Sequence, residues 1–349
     1  MVPRKQVERL LALALLSAAA VWSCSSESSS SGADAPGASP PNDDGGGLDG
    51  SADRSVPAVD AGGAEASAPG DAGPDAAPRI DGGTYRSSLS VCWNDPACTR
   101  ALAISHGGDW NVACPPYDSN AALLAAYANG ADGVKIDVRV TADNVPVISH
   151  SSPIQLYESL DCQGQKIEAM TAAQVTGCHR VPSNETFQRL DDVLDLLRGK
   201  LVAQLCVKVN TDFARTIAEV IARGAQDFAF LEVNAGDFPA LPPLAGADQV
   251  YYLVNVASTL ADVDTILALH DSRVIMIELD PTVALNGLAA TKLHPGGARA
   301  FTYDNTSTAT AQSLKALFDQ GYDVVSSNLT APDVQARIQV NQGRGVSPP

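Results

Sequence analysis

Residues 129–150 read "NGADGVKIDVRVTADNVPVISH". Apolar and polar residues alternate from Val134 to Val140, "TADN" has the composition of a turn, and "VPVISH" resumes the β pattern. The period of two places Val134, Ile136 and Val138 on one face and Lys135 and Asp137 on the other. A strand with an apolar back and an ammonium beside a carboxylate on its front marks a site, which His150 at the end of the next strand can also reach.

Working outward, short β-rich runs recur along the chain: "ALAISH", "LVAQLCVKV", "FAFLEVN", "QVYYLVN", "RVIMIELD", "ARAFTYD" and "YDVVSSN". Amphipathic stretches lie between them, among them "SNAALLAAYANG", "QRLDDVLDLLRG", "DFARTIAEVIARG", "TLADVDTILALH" and "ATAQSLKALFDQG", each closing on a Gly or His near a helix end. With the opening strand this makes eight strands alternating with helices, which argues for a single-domain α/β protein, a parallel (β/α)₈ TIM barrel over residues 88–340, with 341–349 as a tail. The C-terminal strand ends carry His106, Lys135, Asp137, Lys208, Glu232, Asn255, Glu278, Asp304 and Asn328. In such a barrel these ends converge on one mouth, where active sites lie.

The ends of the chain carry no fold. Residues 1–24 join a basic start to the apolar run "LLALALLSAAAVW", too short to span a bilayer comfortably, and finish "VWSC", as a signal peptide does. The last four residues resemble a bacterial lipobox, which implies acylation of Cys24, export, and a lipoprotein held at the outer membrane or cell surface. Residues 25–87 are a Ser/Gly/Ala/Pro/Asp-rich tether with too little apolar surface to order itself. Between Ser25 and Thr84 it holds eleven Asp or Glu and two Arg, a net of minus nine out of the formal minus 17. That balance excludes nucleic acid as a partner and suits a solvated spacer. Six cysteines follow Cys24, an even number in an exported chain. Cys92 and Cys98 bracket a short loop, as do Cys162 and Cys178; by elimination Cys114 is left to pair with Cys206.

The block "ISHGGDWNVACPPYDSNAALLAAYANGADGVKIDVRVTADNVPVISHSS" resembles the opening of the glycerophosphodiester phosphodiesterase family, a strand ending His-Arg-Gly, a Pro-Glu-Asn-Thr loop, then "GADxIExDVxxTxDGxxVVxHD". "LVAQLCVKV" and "GYDVVSSNLTAP" resemble its later strands. The resemblance implies a phosphoric diester hydrolase in lipid metabolism, with His106 and His150 as the acid–base pair, Lys208 near phosphate, Asp137 as a metal-ligand carboxylate, and Ca²⁺ or Mg²⁺ as cofactor.

The departures from that pattern cluster. Gly107 stands for the family's Arg, Lys135 for its first metal-ligand Glu, Cys206 for its third-strand Glu, Ser151 for the Asp after the second His, and the loop Glu is replaced within "PPYDS". A dication 4 Å from an ammonium is repelled by roughly 8 kcal/mol at an effective dielectric of 20. Lys135 is therefore read as a replacement cation, contacting phosphate with Lys208, and the charge count argues against the family's metal site. The substrate expected is a small phosphodiester or lipid head group. The alternative is an inactive barrel that binds such anions without turnover. No HExxH, CxxC, GxSxG or phosphate-loop motif competes, and His179, His270 and His294 fall in loops or at a helix end.

Overall fold

The computed structural model describes residues 88–346, apart from Cys114 and residues 257–259. The signal peptide, Cys24 and the tether up to residue 87 lie outside the described residues. Among those described, no helix is long and apolar enough to cross a membrane.

The strands are β1 (Leu102–His106), β2 (Gly133–Val140), β3 (Pro146–Ile148), β4 (Val202–Val207), β5 (Ala229–Asn234), β6 (Tyr251–Asn255), β7 (Val274–Glu278), β8 (Arg299–Asp304) and β9 (Val324–Ser327). All pair in parallel except β3, which folds back antiparallel on β2 through the "TADN" turn. The order runs β1-β9-β8-β7-β6-β5-β4-β2, and pairing of β1 with β2 closes a barrel of eight parallel strands. Each expected strand is present.

The helices of eight residues or more among the described residues are α1 (Asn120–Ala128), α2 (Leu190–Leu197), α3 (Phe213–Ala222), α4 (Leu260–Leu267), α5 (Ala311–Asp319) and α6 (Thr330–Gly343). The first five are the amphipathic stretches of the sequence. A left-handed residue follows the helix where the chain must reverse, Gly130 (φ 92°) after α1 and His270 (φ 48°) after α4. Between β5 and β6 only 3₁₀ turns occur, and between β7 and β8 a π-helical turn over Ala289–Leu293. Helix α6 runs three residues past the expected boundary at 340. Asn341 holds it there, accepting from the Ala101 N–H at 2.8 Å and donating to the Ala101 carbonyl at 3.0 Å.

Two apolar layers follow from the strand alternation. Outward residues such as Val134, Ile136, Val138, Ala203 and Leu205 pack under the helices. Inward residues Leu102, Ile104, Val202, Phe230, Leu253, Met276, Phe301 and Val324 fill the lower barrel, and Leu89, Cys92 and Trp93 of the N-terminal segment join them. Arg299, fully buried, donates to the carbonyls of Cys92 and Arg100 and fixes this segment in place. The barrel is thus filled at its lower end, so polar inward residues are confined to the other. A third cluster packs Ile154, Ile167, Met170, Val175 and Phe187 of the excursion between β3 and α2 with Val147 of β3. The expected Cys92–Cys98 and Cys162–Cys178 disulfides are formed, one at the N-terminal segment and one within that excursion.

Candidate functional site

Register builds the site. His106 lies level with Lys135 and Lys135 with Gln204; two residues up β2, Asp137 lies level with Cys206 and Cys206 with Glu232. Lys135 therefore starts one layer below the carboxylates and reaches upward between them, its Nζ 3.9 Å from both Asp137 Oδ1 and Glu232 Oε2. Lys208, just past β4, brings its Nζ to 2.9 Å from Asp137 Oδ1. Gln204 Nε2 donates to Glu232 Oε2 at 2.8 Å.

His106 closes β1 and is 6 % exposed. Its Nδ1 is 2.6 Å from Asn328 Oδ1, and Nε2 faces the Tyr117 hydroxyl at 3.0 Å and Lys135 Nζ at 3.4 Å. Asn328 also donates through Nδ2 to the Asn305 carbonyl, which orients its amide. His150 follows β3. Its N–H donates to Glu158 Oε1 at 2.9 Å, its carbonyl accepts from Arg139, and its Nδ1 meets Tyr157 Oη at 2.7 Å and Ser151 Oγ at 3.2 Å.

Tyr117 stands between the histidines. Its ring meets His106 edge-on at 5.5 Å and His150 at 5.8 Å between centroids, and its hydroxyl donates to Asp137 Oδ2 at 2.9 Å. The local chain explains this placement. Ser119 caps α1 by accepting from the Ala122 N–H, and Asp118 before it takes φ 58° and donates its N–H to the Gly107 carbonyl. Asp118 Oδ2 in turn accepts from the Asp137 N–H at 3.2 Å. The sequence shows that a loop Glu is missing here, but its pattern singles out neither Tyr117 nor Tyr157. The signal available was the aromatic itself, directly after Pro116 in the loop leaving β1.

Charges follow from these neighbours. Burial pushes His106 down to about 3, and Lys135 adds to the effect, so the ring is neutral at rest. Burial also lowers His150. Burial alone would raise Asp137, but Lys208 and then Lys135 outweigh it and hold the carboxyl well below the usual range. Burial opposes the charge on Lys135, and the carboxylates of Glu232 and Asp137 beside it overcome that cost. Burial and then Asp137 raise Tyr117 well above an ordinary phenol, so it keeps its proton.

Cys206 carries a free thiol, which corrects the Cys114–Cys206 pairing. Elimination from an even count carries no geometry. The side chain is held in the barrel wall at the level of Asp137 and Glu232, where burial and Glu232 push its pKa to about 12. Cys114 lies outside the described residues.

Of the strand-end residues, His106, Lys135, Asp137, Lys208, Glu232 and Asn328 are brought together. Asn255 donates to Glu278 Oε1 at 3.2 Å further round the mouth, whereas Asp304 turns to its own loop and accepts from Thr306. The remaining histidines serve locally: His179 pairs with Asp161 and His294 with Asp323, both at the surface or near it.

Ca²⁺ or Mg²⁺ does not fit this donor set. Asp137 is already paired with two ammonium groups, the thiol at Cys206 and the phenol at Tyr117 are neutral, and the charges of Asp137, Glu232, Lys135 and Lys208 sum to zero. Among the described residues no group of three or more His, Cys, Asp or Glu side chains is placed to hold a metal ion. The arrangement can instead bind an anion on two ammonium groups and move protons through two imidazoles.

The family model of the glycerophosphoryl diester phosphodiesterase family matches residues 116–212. Glycerophosphodiester phosphodiesterase 1 of Mus musculus is 31% identical over 124 residues, a match that covers 33% of this chain and 36% of that protein, so the chain spans about a third of the relative's length. Similar solved structures include a glycerophosphoryl diester phosphodiesterase from Parabacteroides distasonis (17% identity, 70% of this chain and 88% of that one, TM-score 0.57). Another is a glycerophosphodiester phosphodiesterase from Agrobacterium tumefaciens (18%, 67% and 98%, TM-score 0.54). A third is an Oleispira antarctica phosphodiesterase in complex with the product sn-glycerol-3-phosphate (18%, 70% and 99%, TM-score 0.52).

Proposed function

We propose that this chain, which matches the glycerophosphoryl diester phosphodiesterase family over residues 116–212, is a member of that family and hydrolyses glycerophosphodiesters or related lipid-derived diesters without a bound dication. The observation that carries this reading is the pairing of His106 and His150 across Tyr117, with Lys135 and Lys208 converging beside them on Asp137.

The two ammonium groups bind the non-bridging phosphoryl oxygens and take up charge as it develops there. They release part of their hold on Asp137 to do so. His106, neutral at rest, is the base that accepts a proton from the hydroxyl of the attacking water, whose oxygen bonds to phosphorus as the bond to the leaving alcohol breaks. His150, with its Nδ1 taken by Tyr157 and Ser151, protonates the leaving oxygen through Nε2. The bound diester's negative charge favours the imidazolium that this step needs. Glycerol 3-phosphate, the product held by the Oleispira antarctica phosphodiesterase, is the product expected here.

The test is release of glycerol 3-phosphate from glycerophosphodiesters, measured with and without EDTA. Chelator-resistant turnover supports the reading, and turnover abolished by EDTA and restored by Ca²⁺ or Mg²⁺ overturns its metal-free part. A second reading, an anion-binding barrel without turnover, draws support from the phenol seated 3.0 Å from His106 Nε2. Micromolar binding of a diester with no product formed selects it.

The protein's location belongs to the same proposal: Cys24 acylated, and the protein held by that anchor at the outer membrane or cell surface. Cys24→Ala releases the protein from the membrane fraction or leaves its precursor uncleaved; normal maturation and retention would refute the anchor.

A further inference from the structure

Tyr117 and Gly107 occupy two of the positions at which this chain departs from the family pattern, and the structure makes them one device. A Cβ built at Gly107 would lie 2.0 Å from Tyr117 Cε2 and 2.3 Å from Cδ2, with the backbone at φ +68°. No side chain at residue 107 can coexist with the ring where it sits. The loss of a long side chain after the first histidine therefore creates the seat that the phenol fills.

We infer that Tyr117 is the positioning residue of His106, linking the Asp137 carboxylate to Nε2, an inference that rests on the hydrolase reading above. The hydrogen bonds supply the reason. Asn328 donates through Nδ2 to the Asn305 carbonyl, so its Oδ1 is the acceptor and His106 Nδ1 carries the hydrogen. Nε2 then bears the lone pair, beside the phenol oxygen and Lys135 Nζ. The phenol proton is shared between two acceptors at rest, Asp137 Oδ2 and Nε2.

The balance changes when Nε2 gains a proton from the attacking hydroxyl. The phenol O–H then belongs wholly to Asp137, and its oxygen accepts from the new Nε2–H. Both N–H groups of the imidazolium have acceptors, Asn328 Oδ1 on one side and Tyr117 Oη on the other. The network is thus more complementary to the protonated ring than to the resting one, which is the kind of interaction that lowers a barrier rather than tightening ground-state binding. The attacking hydroxyl reaches Nε2 from the side Lys135 leaves when its ammonium turns to a phosphoryl oxygen. Tyr117 itself is no nucleophile, because a neutral His106 cannot take the proton of a phenol so strongly held.

Tyr117→Phe keeps the ring against His106, His150 and Trp110 and removes only the hydroxyl. On glycerophosphodiester the expected result is a kcat lower by about 10- to 100-fold with KM within about twofold, as for a displaced catalytic group. In ¹⁵N-histidine NMR of the full chain, the His106 Nε2 resonance moves while Nδ1 remains protonated. Gly107→Ala, which displaces the ring, reproduces the kcat loss, and the double variant costs little more than either alone. Unchanged kcat in Tyr117→Phe, additive losses, or an unmoved Nε2 resonance each overturn the inference. If the wild-type protein turns over no diester, the hydrolase reading fails, and the NMR comparison still decides whether Tyr117 holds His106.

Discussion

Replacing Lys135 by Glu should convert a barrel indifferent to divalent cations into one that needs them. The ammonium lies 3.9 Å from Asp137 Oδ1 and 3.9 Å from Glu232 Oε2. At an effective dielectric of 20 each of these contacts is worth ~4 kcal/mol, and Lys135→Glu turns both from attraction to repulsion. Protonation of one carboxyl and side-chain relaxation reduce the sum several-fold, leaving a loss of about 3 kcal/mol, which for a domain of this size lowers Tm by roughly 6–12 °C. The three carboxyl groups then gathered offer a dication a net charge suited to it. At 100 times its Kd, Ca²⁺ or Mg²⁺ returns about 2.7 kcal/mol, nearly the whole loss. The assay is thermal unfolding of wild type and variant in EDTA and in millimolar CaCl₂ or MgCl₂. The variant's Tm should climb with metal and the wild type's should not move. A wild-type Tm that falls in EDTA, or a variant that ignores metal, refutes the replacement-cation argument; adding Cys206→Glu should strengthen the variant's response.

His106→Ala and His150→Ala should each lower kcat/KM by about 10² to 10⁴, the range of a general acid or base. Losing the Cys162–Cys178 link through paired Ser substitutions should cost about 3 kcal/mol by chain entropy, the loop being 16 residues, and should show first as proteolysis of the β3–α2 excursion. Asp333, in the first turn of α6, has both carboxyl oxygens buried without a hydrogen-bond partner, and burial followed by Asp132 raises its pKa well above 3.8. The folded state keeps a proton that the unfolded chain loses near pH 4, so this residue's contribution declines above that pH by up to about 1.4 kcal/mol per unit until the folded pKa is reached. Asp333→Asn should therefore match wild type near pH 4 and exceed it at pH 8 in denaturant unfolding; equal pH slopes for the two would count against a protonated Asp333.

Much of this molecule is local in origin and legible in the sequence itself. The strands are visible because a parallel barrel strand needs an outward apolar row, and Val134, Ile136 and Val138 supply it within one element. The five helix ends are visible because reversal needs a left-handed residue directly after the last turn. The two disulfides closing loops of 6 and 16 residues required only that short segments meet. The inward phase of Lys135 and Asp137, the place of His106 at the end of β1 and that of His150 just past β3 follow from the same alternation.

What only the tertiary structure decided depends on groups far apart in sequence meeting at defined distances. The free thiol of Cys206 is one case: pairing requires a partner in reach, and no count of cysteines supplies that. The acceptor for His106 Nδ1 comes from Asn328, 222 residues away, and closure of β9 against β1 delivers it. Tyr117 is the clearest. Its residue type was in view, but its seat is made by the missing side chain at Gly107, its anchor by Asp137 on the next strand, and its height by the Ser119 cap. Hydrogen bonds act over about 3 Å, so whether a phenol couples a carboxylate to an imidazole is set by barrel register, not by the pattern of any one segment.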